Sequence, residues 1–139
     1  MAIAAVGMAQ AAIDASIHYA KQRHQFGKPI GSFQLIQQMI ADMLAETEAS
    51  RLLAFKALSM VGKGARCDQE VSIAKFYATE AAVRVTSTAI QLHGAIGLSE
   101  EMPLERFFRD ARAWTIPDGT TQIQKLVVGR SVLGLSAIR

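Results

Sequence analysis

The stretch from Phe33 to Val61 reads FQLIQQMIADMLAETEASRLLAFKALSMV, and it decides the fold. Leu35/Ile36, Met39/Ile40 and Met43/Leu44 step by four residues, and Leu52, Phe55 and Leu58 continue that apolar face. Asp42, Glu46, Glu48 and Lys56 fall in the polar intervals, as expected of one long amphipathic helix. Ser32 precedes it as an N-cap, and Gly62-Lys63-Gly64 ends it. Upstream, Val6, Ala9, Ile13 and Ile17 give a helix over Ala2 to Arg23. Ala4, Ala5, Gly7, Ala11 and Ala12 let a neighbour approach it closely. Gly27 and Pro29 stop it. Downstream, Asp68 caps a helix from Gln69 to His93 with Ile73, Phe76, Tyr77, Val83 and Ile90 on its buried side, and Gly94 ends it. A loop from Ala95 to Met102 follows. Pro103 opens a short helix to Ala113, and a last helix runs from Thr120 to Leu135. Glu105/Arg109 and Arg106/Asp110 are expected ion pairs on the short helix. No strand-like alternation of useful length competes. The fold class is all-α, an antiparallel up-and-down helical bundle forming one domain over 1–139.

Composition agrees and removes several function classes. The 139 residues are 50% hydrophobic and 19% charged, enough apolar content for a core and too much for a disordered chain. The single Cys67 has no disulfide partner. The net charge of +3 is spread among acids without a basic run, which argues against nucleic acid. No apolar run reaches the roughly 20 residues of a membrane span. The Ala-rich opening lacks a basic leader and runs straight into Asp14, His18 and Lys21, so a reduced, cytoplasmic compartment is expected. His18, His24, His93 and Cys67 are isolated, with no metal-ligand spacing and no Glu-x-x-His pair, so no metal is expected. Residue chemistry by itself implies a helical bundle with polar loops.

Three loops add a family resemblance. Arg23-His24-Gln25-Phe26-Gly27-Lys28-Pro29-Ile30 with Phe33-Gln34 is one. Gln91-Leu92-His93-Gly94-Ala95-Ile96-Gly97 is the second. Glu105-Arg106, Arg109-Asp110-Ala111 and Asp118-Gly119-Thr120-Thr121-Gln122-Ile123-Gln124 make the third. In this order and spacing they resemble the C-terminal helical domain of acyl-CoA dehydrogenases, over nearly the whole chain. The resemblance implies a flavoenzyme of fatty acid metabolism that uses FAD to oxidise an acyl-CoA to a trans-2-enoyl-CoA. A base takes the α proton while hydride leaves the β carbon. It further implies an N-terminal helical domain and a middle β domain outside this chain, which alone is then expected to be inactive.

Carried over residue by residue, the resemblance implies that Arg23 pairs with the FAD pyrophosphate of a neighbouring subunit, a task suited to a forked guanidinium. Gln25 and Phe26 would line the same cofactor, with Gln34 nearby. Gln91, Gly94 and the backbone of Ala95 would meet its adenosine end. The family commonly has two consecutive Gly where this chain has Gly94-Ala95, so a negative φ is expected at Ala95. Thr120 and Gln122 would hydrogen-bond FAD at the start of the last helix.

Asp118 stands where many members have the Glu that removes the α proton. It is the catalytic candidate and, with Gly119, the substrate-binding one. Its side chain is shorter by about 1.5 Å. The alternative for Asp118 is a plain helix cap, with the base on an upstream helix, as in some members. Trp114 is read as a core or pocket-wall residue. The implied partners are an acyl-CoA substrate, an electron-transferring flavoprotein as acceptor, and further copies of the chain in a homodimer or homotetramer, in the mitochondrial matrix if the source is eukaryotic. A non-catalytic helical assembly module and an acyl-CoA oxidase are the competing functions.

Overall fold

Three long helices carry the architecture: α1 (Ala2–Gln22), α2 (Gln34–Gly62) and α3 (Asp68–His93). The computed structural model describes residues 1–137. Tyr19, near the end of α1, stacks on His93 at the end of α3, with ring centroids 4.4 Å apart. Met1, Ala2 and Ile3 share a groove with Val71 and Ala74 at the start of α3, so α1 and α3 run parallel. Ala54, Ala57 and Val61 reach that same groove from the far end of α2, which therefore runs antiparallel to both. A short helix α4 (Leu104–Trp114) returns along α3. Then α5 (Thr121–Leu133) continues in that direction, with Thr121 against Glu80 and Ser131 against Gln69. The expected antiparallel up-and-down bundle is present, and its final connection is a step sideways rather than a reversal.

The helices pack on small residues. Ala5, Ala9, Ala12, Ala78, Ala82 and Ala89 are almost fully buried, and the large side chains sealed among them include Ile13, Met43 and Leu104. This corrects the expected inner faces. On α3 the deeply buried positions are mostly Ala, Ser and Thr, with Lys75, Val85, Leu92 and His93, while Ile73, Phe76, Tyr77, Val83 and Ile90 are only half-buried. On α2 the sealed residues are Met43, Thr47, Ser50, Ala54 and Ala57, and Leu35, Leu52, Phe55 and Leu58 face outward. Close approach of helix backbones needs small side chains at the contact. Four of the buried hydroxyls are satisfied locally, while Thr47 Oγ1 has no hydrogen-bond partner among the described residues. Ser16, Ser50, Thr79 and Thr86 each donate to the carbonyl four residues back at 2.7–2.9 Å.

Local details differ from expectation in ways that bear on the site. Phe33 occupies the N-cap position of α2, and Ser32 lies in a 3₁₀ turn over Ile30–Ser32. Cys67 holds the N-cap position of α3, and Asp68, inside the first turn, pairs with Arg66 at 3.0 Å. Pro103 is the N-cap position of α4, Gly134 caps α5 with φ 69°, and Gly94–Leu98 forms a 3₁₀ turn rather than an irregular loop. The Glu105–Arg109 pair forms at 3.2 Å. The Arg106–Asp110 pair does not form among the described residues, and the Arg106 guanidinium instead sits 5.9 Å from the Phe107 ring centroid. Trp114 packs against the core, as expected. The stop after α1 is a small antiparallel hairpin, β1 (His24–Gln25) with β2 (Lys28–Pro29), which alternation over so few residues could not reveal.

Candidate functional site

The sequence candidates fall into two groups at opposite ends of α3. The first surrounds a groove of about 690 Å³ where α1 and α3 end and α2 begins. Arg23, Gln25, Phe26, Gln34, Gln91, Gly94 and Ala95 all line it, with Tyr19, Phe33 and His93. Residues more than sixty positions apart are thus brought together by the parallel run of α1 and α3. Arg23 lies just past the end of α1, and its guanidinium has no carboxylate partner among the described residues. Ala95 keeps a negative φ, and a side chain built on Gly94 would meet nothing within 4 Å.

Phe26 is held against two ordinary preferences. Its φ is +51°, in the left-handed region, and its ring is 92% exposed. Phe26 and Gly27 (φ +77°) are the two tip residues of the hairpin, a pattern that normally selects Asn-Gly. An L-residue with a large side chain costs about 1–2 kcal/mol there. The only offset is an edge contact with Phe33 at 6.1 Å. We expect Phe26→Asn to raise the stability of the chain by up to about 1 kcal/mol, the left-handed penalty less a weak aromatic pair. Denaturant midpoints measure it, and a lower midpoint would show that the ring supports the fold.

His93 forms the floor of this groove. It is buried, its Nδ1 bonds the Ala89 carbonyl at 2.8 Å, and no hydrogen bond of good geometry reaches Nε2. Burial pushes the imidazole below its ordinary pKa, against the opposing pull of the Ala89 and Ala15 carbonyls. Its ring stacks on that of Tyr19, with centroids 4.4 Å apart. Among the described residues no group of His, Cys, Asp and Glu could hold a metal.

The second group surrounds a mainly apolar groove of about 360 Å³ between the starts of α1 and α3 and the end of α2. Ala2, Ile3, Ala57, Leu58, Val61 and Val71 form its walls, and Asp118 and Gln124 stand on its edge. The Asp118 carboxylate makes no hydrogen bond or ion pair among the described residues, and its backbone N–H is equally free. Asp118 has φ +56° and Gly119 φ +91°, so the turn is doubly left-handed. Asp tolerates that region. At Gly119 the positive φ favours glycine, and an added Cβ would lie 2.7 Å from Gln124 Nε2, so the Gln124 amide would have to move. The helix cap is Thr120, whose Oγ1 accepts from the Ile123 N–H at 3.4 Å. Capping is therefore not the role of Asp118.

Residues that the sequence did not mark hold this turn. Gln124 Nε2 donates to the Asp118 carbonyl at 2.9 Å, and Lys75 Nζ donates to the Gly119 carbonyl at 2.8 Å and to the Thr115 carbonyl at 3.4 Å. The Thr121 N–H also donates to Thr115 O, and Thr121 Oγ1 donates to Glu80 Oε1 at 2.6 Å. Lys75 is only 6% exposed, and burial lowers its pKa against the raising effects of Asp118 and Glu80. A Lys in register with Ala78 and Ala82 was the available signal. It marks a buried cation once the small-residue face is known to be the inner one. Gln122 is exposed on the first turn of α5 beside Thr120.

Residues 1–133 match the family model described as acyl-CoA dehydrogenase, C-terminal domain. Among curated relatives, a caffeyl-CoA reductase–Etf complex subunit of Acetobacterium woodii is 44% identical over 92% of this chain and 34% of its own. The solved butyryl-CoA dehydrogenase of Megasphaera elsdenii superposes with a TM-score of 0.94 at 42% identity, over 95% of this chain and 34% of that one. A structure described as an FAD complex of PigA superposes with a TM-score of 0.88 at 31% identity, over 92% and 33%. The chain spans about a third of the length of these proteins. With the helical bundle and the match over 1–133 in agreement, the chain belongs to the acyl-CoA dehydrogenase C-terminal domain family.

Proposed function

We propose that this chain is the C-terminal domain of an FAD-dependent acyl-CoA dehydrogenase that interconverts an acyl-CoA and its trans-2-enoyl-CoA, with the N-terminal helical and middle β domains supplied outside 1–139. The observation that carries the reading is Asp118, an unpartnered carboxylate held in a left-handed turn at the mouth of an apolar groove. A base for an α proton needs a free lone pair, fixed placement and a site that excludes water, and the turn supplies the first two. The free N–H of Asp118 would polarise the thioester carbonyl and so acidify that proton. Reversal of these roles would protonate the α carbon of an enoyl-CoA, the direction in the name of the caffeyl-CoA reductase relative.

The groove at the other end of α3 fits FAD. It offers an unpaired guanidinium, an exposed aromatic ring, three glutamines and open space over Gly94, a set suited to an anionic group joined to aromatic rings. Arg23 would hold the pyrophosphate, Gln25, Phe26 and Gln34 would line it, and Gln91, Gly94 and Ala95 would meet the adenosine end. Thr120 and Gln122 would bind at the Asp118 end. When bound, FAD accepts the hydride from the β carbon. The two clusters are separated by about 18 residues of α3, roughly 27 Å at 1.5 Å per residue. That separation favours a cofactor shared between subunits, one cluster from each. Leu35, Leu52, Phe55 and Leu58, exposed on α2, support burial in a homodimer or homotetramer. An electron-transferring flavoprotein is the proposed acceptor, in line with the Etf complex of the A. woodii relative. No helix among the described residues is long and apolar enough to cross a membrane, and we propose a cytoplasmic enzyme, or one of the mitochondrial matrix in a eukaryote.

The test of the reaction class is α-proton exchange from acyl-CoA in deuterated buffer by the longer enzyme, with and without Asp118→Asn. The cofactor reading has its own test. In that enzyme Arg23→Met weakens FAD binding about 10–100-fold, the loss expected for a charge-assisted hydrogen bond. Stability changes by less than about 0.5 kcal/mol, because Arg23 is exposed and unpaired. An unaltered FAD titration would reduce Arg23 to a cation favouring the end of α1.

A further inference from the structure

We propose that Lys75 is a positioning residue for Asp118: its buried ammonium grips the Gly119 and Thr115 carbonyls and holds the 115–121 turn in the one arrangement that presents the carboxylate to the apolar groove. This rests on the reading of Asp118 as base.

Three observations point the same way. First, a Lys is the wrong residue for this place unless its charge is used. Lys75 lies on the small-residue inner face of α3, among Ala74, Ala78 and Ala82, and is 6% exposed. A buried ammonium is costly unless its three protons find acceptors. Both oxygens that its Nζ reaches belong to this one turn. Second, between its closed ends the turn has few other restraints. The Thr121 N–H closes it onto Thr115 O, but among the described residues its doubly left-handed centre is tied only through the Asp118 and Gly119 carbonyls, to Gln124 and Lys75. Third, the charges are ordered around the ammonium. Asp118 on the turn and Glu80 one turn and more along α3 both favour the cation, and Glu80 itself accepts from Thr121 at the far side of the turn. Lys75 thus stands between the two ends of the turn. It fixes Thr115 and Gly119 together, and its charge lies near the carboxylate without forming an ion pair that would occupy the lone pair.

Lys75→Met removes the donors and keeps the stem that packs among the alanines. In this chain, hydrogen exchange at the hydrogen-bonded amides of Thr115, Ile116 and Thr121 should rise about tenfold or more, with α1 and α2 unchanged. In the longer enzyme loaded with FAD, α-proton exchange from acyl-CoA should fall about a hundredfold, the effect of a misplacement near 1 Å, while KM moves less than about threefold. A uniform rise in exchange through all helices, or a KM change equal to the kcat change, would mean that Lys75 only stabilises the bundle. Unchanged turn amides would overturn the proposal outright. If Met at 75 prevents folding, Lys75→Gln, which removes the charge and leaves a shorter side chain with two N–H donors in place of three, goes through the same measurements. Asp118→Asn separates the two claims. If that variant keeps its α-proton exchange, the base reading fails while the turn amides still report on Lys75. If it loses exchange and Lys75→Met does not, the positioning claim alone is wrong.

Discussion

Asp118→Asn in the longer enzyme should bind FAD and acyl-CoA and lose α-proton exchange about 10²–10⁴-fold, the usual contribution of a positioned general base. The substitution is clean for structural reasons. Asn is at least as tolerant of the left-handed region as Asp, so φ +56° is kept. The bonds that hold the turn use the backbone carbonyls of Thr115, Asp118 and Gly119, not the carboxylate. The cap on α5 is Thr120, so the helix start is untouched. What changes is the capacity to take a proton, together with the loss of one of the two charges that favour the Lys75 cation. Thermal unfolding of this chain should be unchanged within about 0.5 kcal/mol, as for an exposed side chain with no partner. Exchange at the wild-type rate in the Asn variant would assign the base to a carboxylate outside this chain and leave Asp118 as a turn residue.

The helices were legible from punctuation. Gly27, Pro29, Gly62, Gly64, Gly94 and Pro103 divide the chain nearly where the helices end, because each either removes a backbone donor or favours non-helical geometry. The faces were less legible. Periodicity weights a residue by its size and apolarity, and so places Leu52, Phe55 and Leu58 inside. Helix spacing is set by whichever face permits the closest approach, and in α2 and α3 that is the face of Ala, Ser and Thr. Large apolar residues are then left outside, where a single chain cannot bury them.

The candidate site divides along the same line. Arg23, Gln25, Phe26, Gln34, Gln91, Gly94 and Ala95 were marked through the family resemblance, and their convergence on one groove follows from the parallel run of α1 and α3. Asp118 was marked in the same way, but its left-handed backbone was not readable, since Asp before Gly-Thr is equally a good helix cap. Lys75 and Gln124 act through carbonyl oxygens 40 or more and 6 or fewer residues away in sequence. Carbonyls are common to every residue, so no pattern of side chains could announce those bonds.

Leu104→Ala should be the most damaging truncation in the core, lowering stability by about 2–5 kcal/mol. Leu104 is fully buried at the first turn of α4 and belongs to the cluster shared by α1 and α3. About half of that cluster is alanine, and Ile13, Met43 and Val85 are among its larger members. Alanines have no rotamers with which to move into a vacated volume, and their helices are already close, so the cavity left by three lost carbons persists. The upper half of the range is therefore expected, because the penalty grows with residual cavity volume at about 24 cal/mol per Å³. A loss of that size is a large share of the roughly 5–15 kcal/mol that ordinarily separates folded from unfolded states. Urea unfolding should show a lower midpoint at constant slope. Leu104→Met conserves volume and should cost less than about 1.5 kcal/mol. If Ala costs no more than Met, α4 does not depend on this anchor. The turn that follows α4, with Asp118 in it, would then be positioned by its bonds to Lys75, Gln124 and Glu80 and by its own Thr121–Thr115 closure.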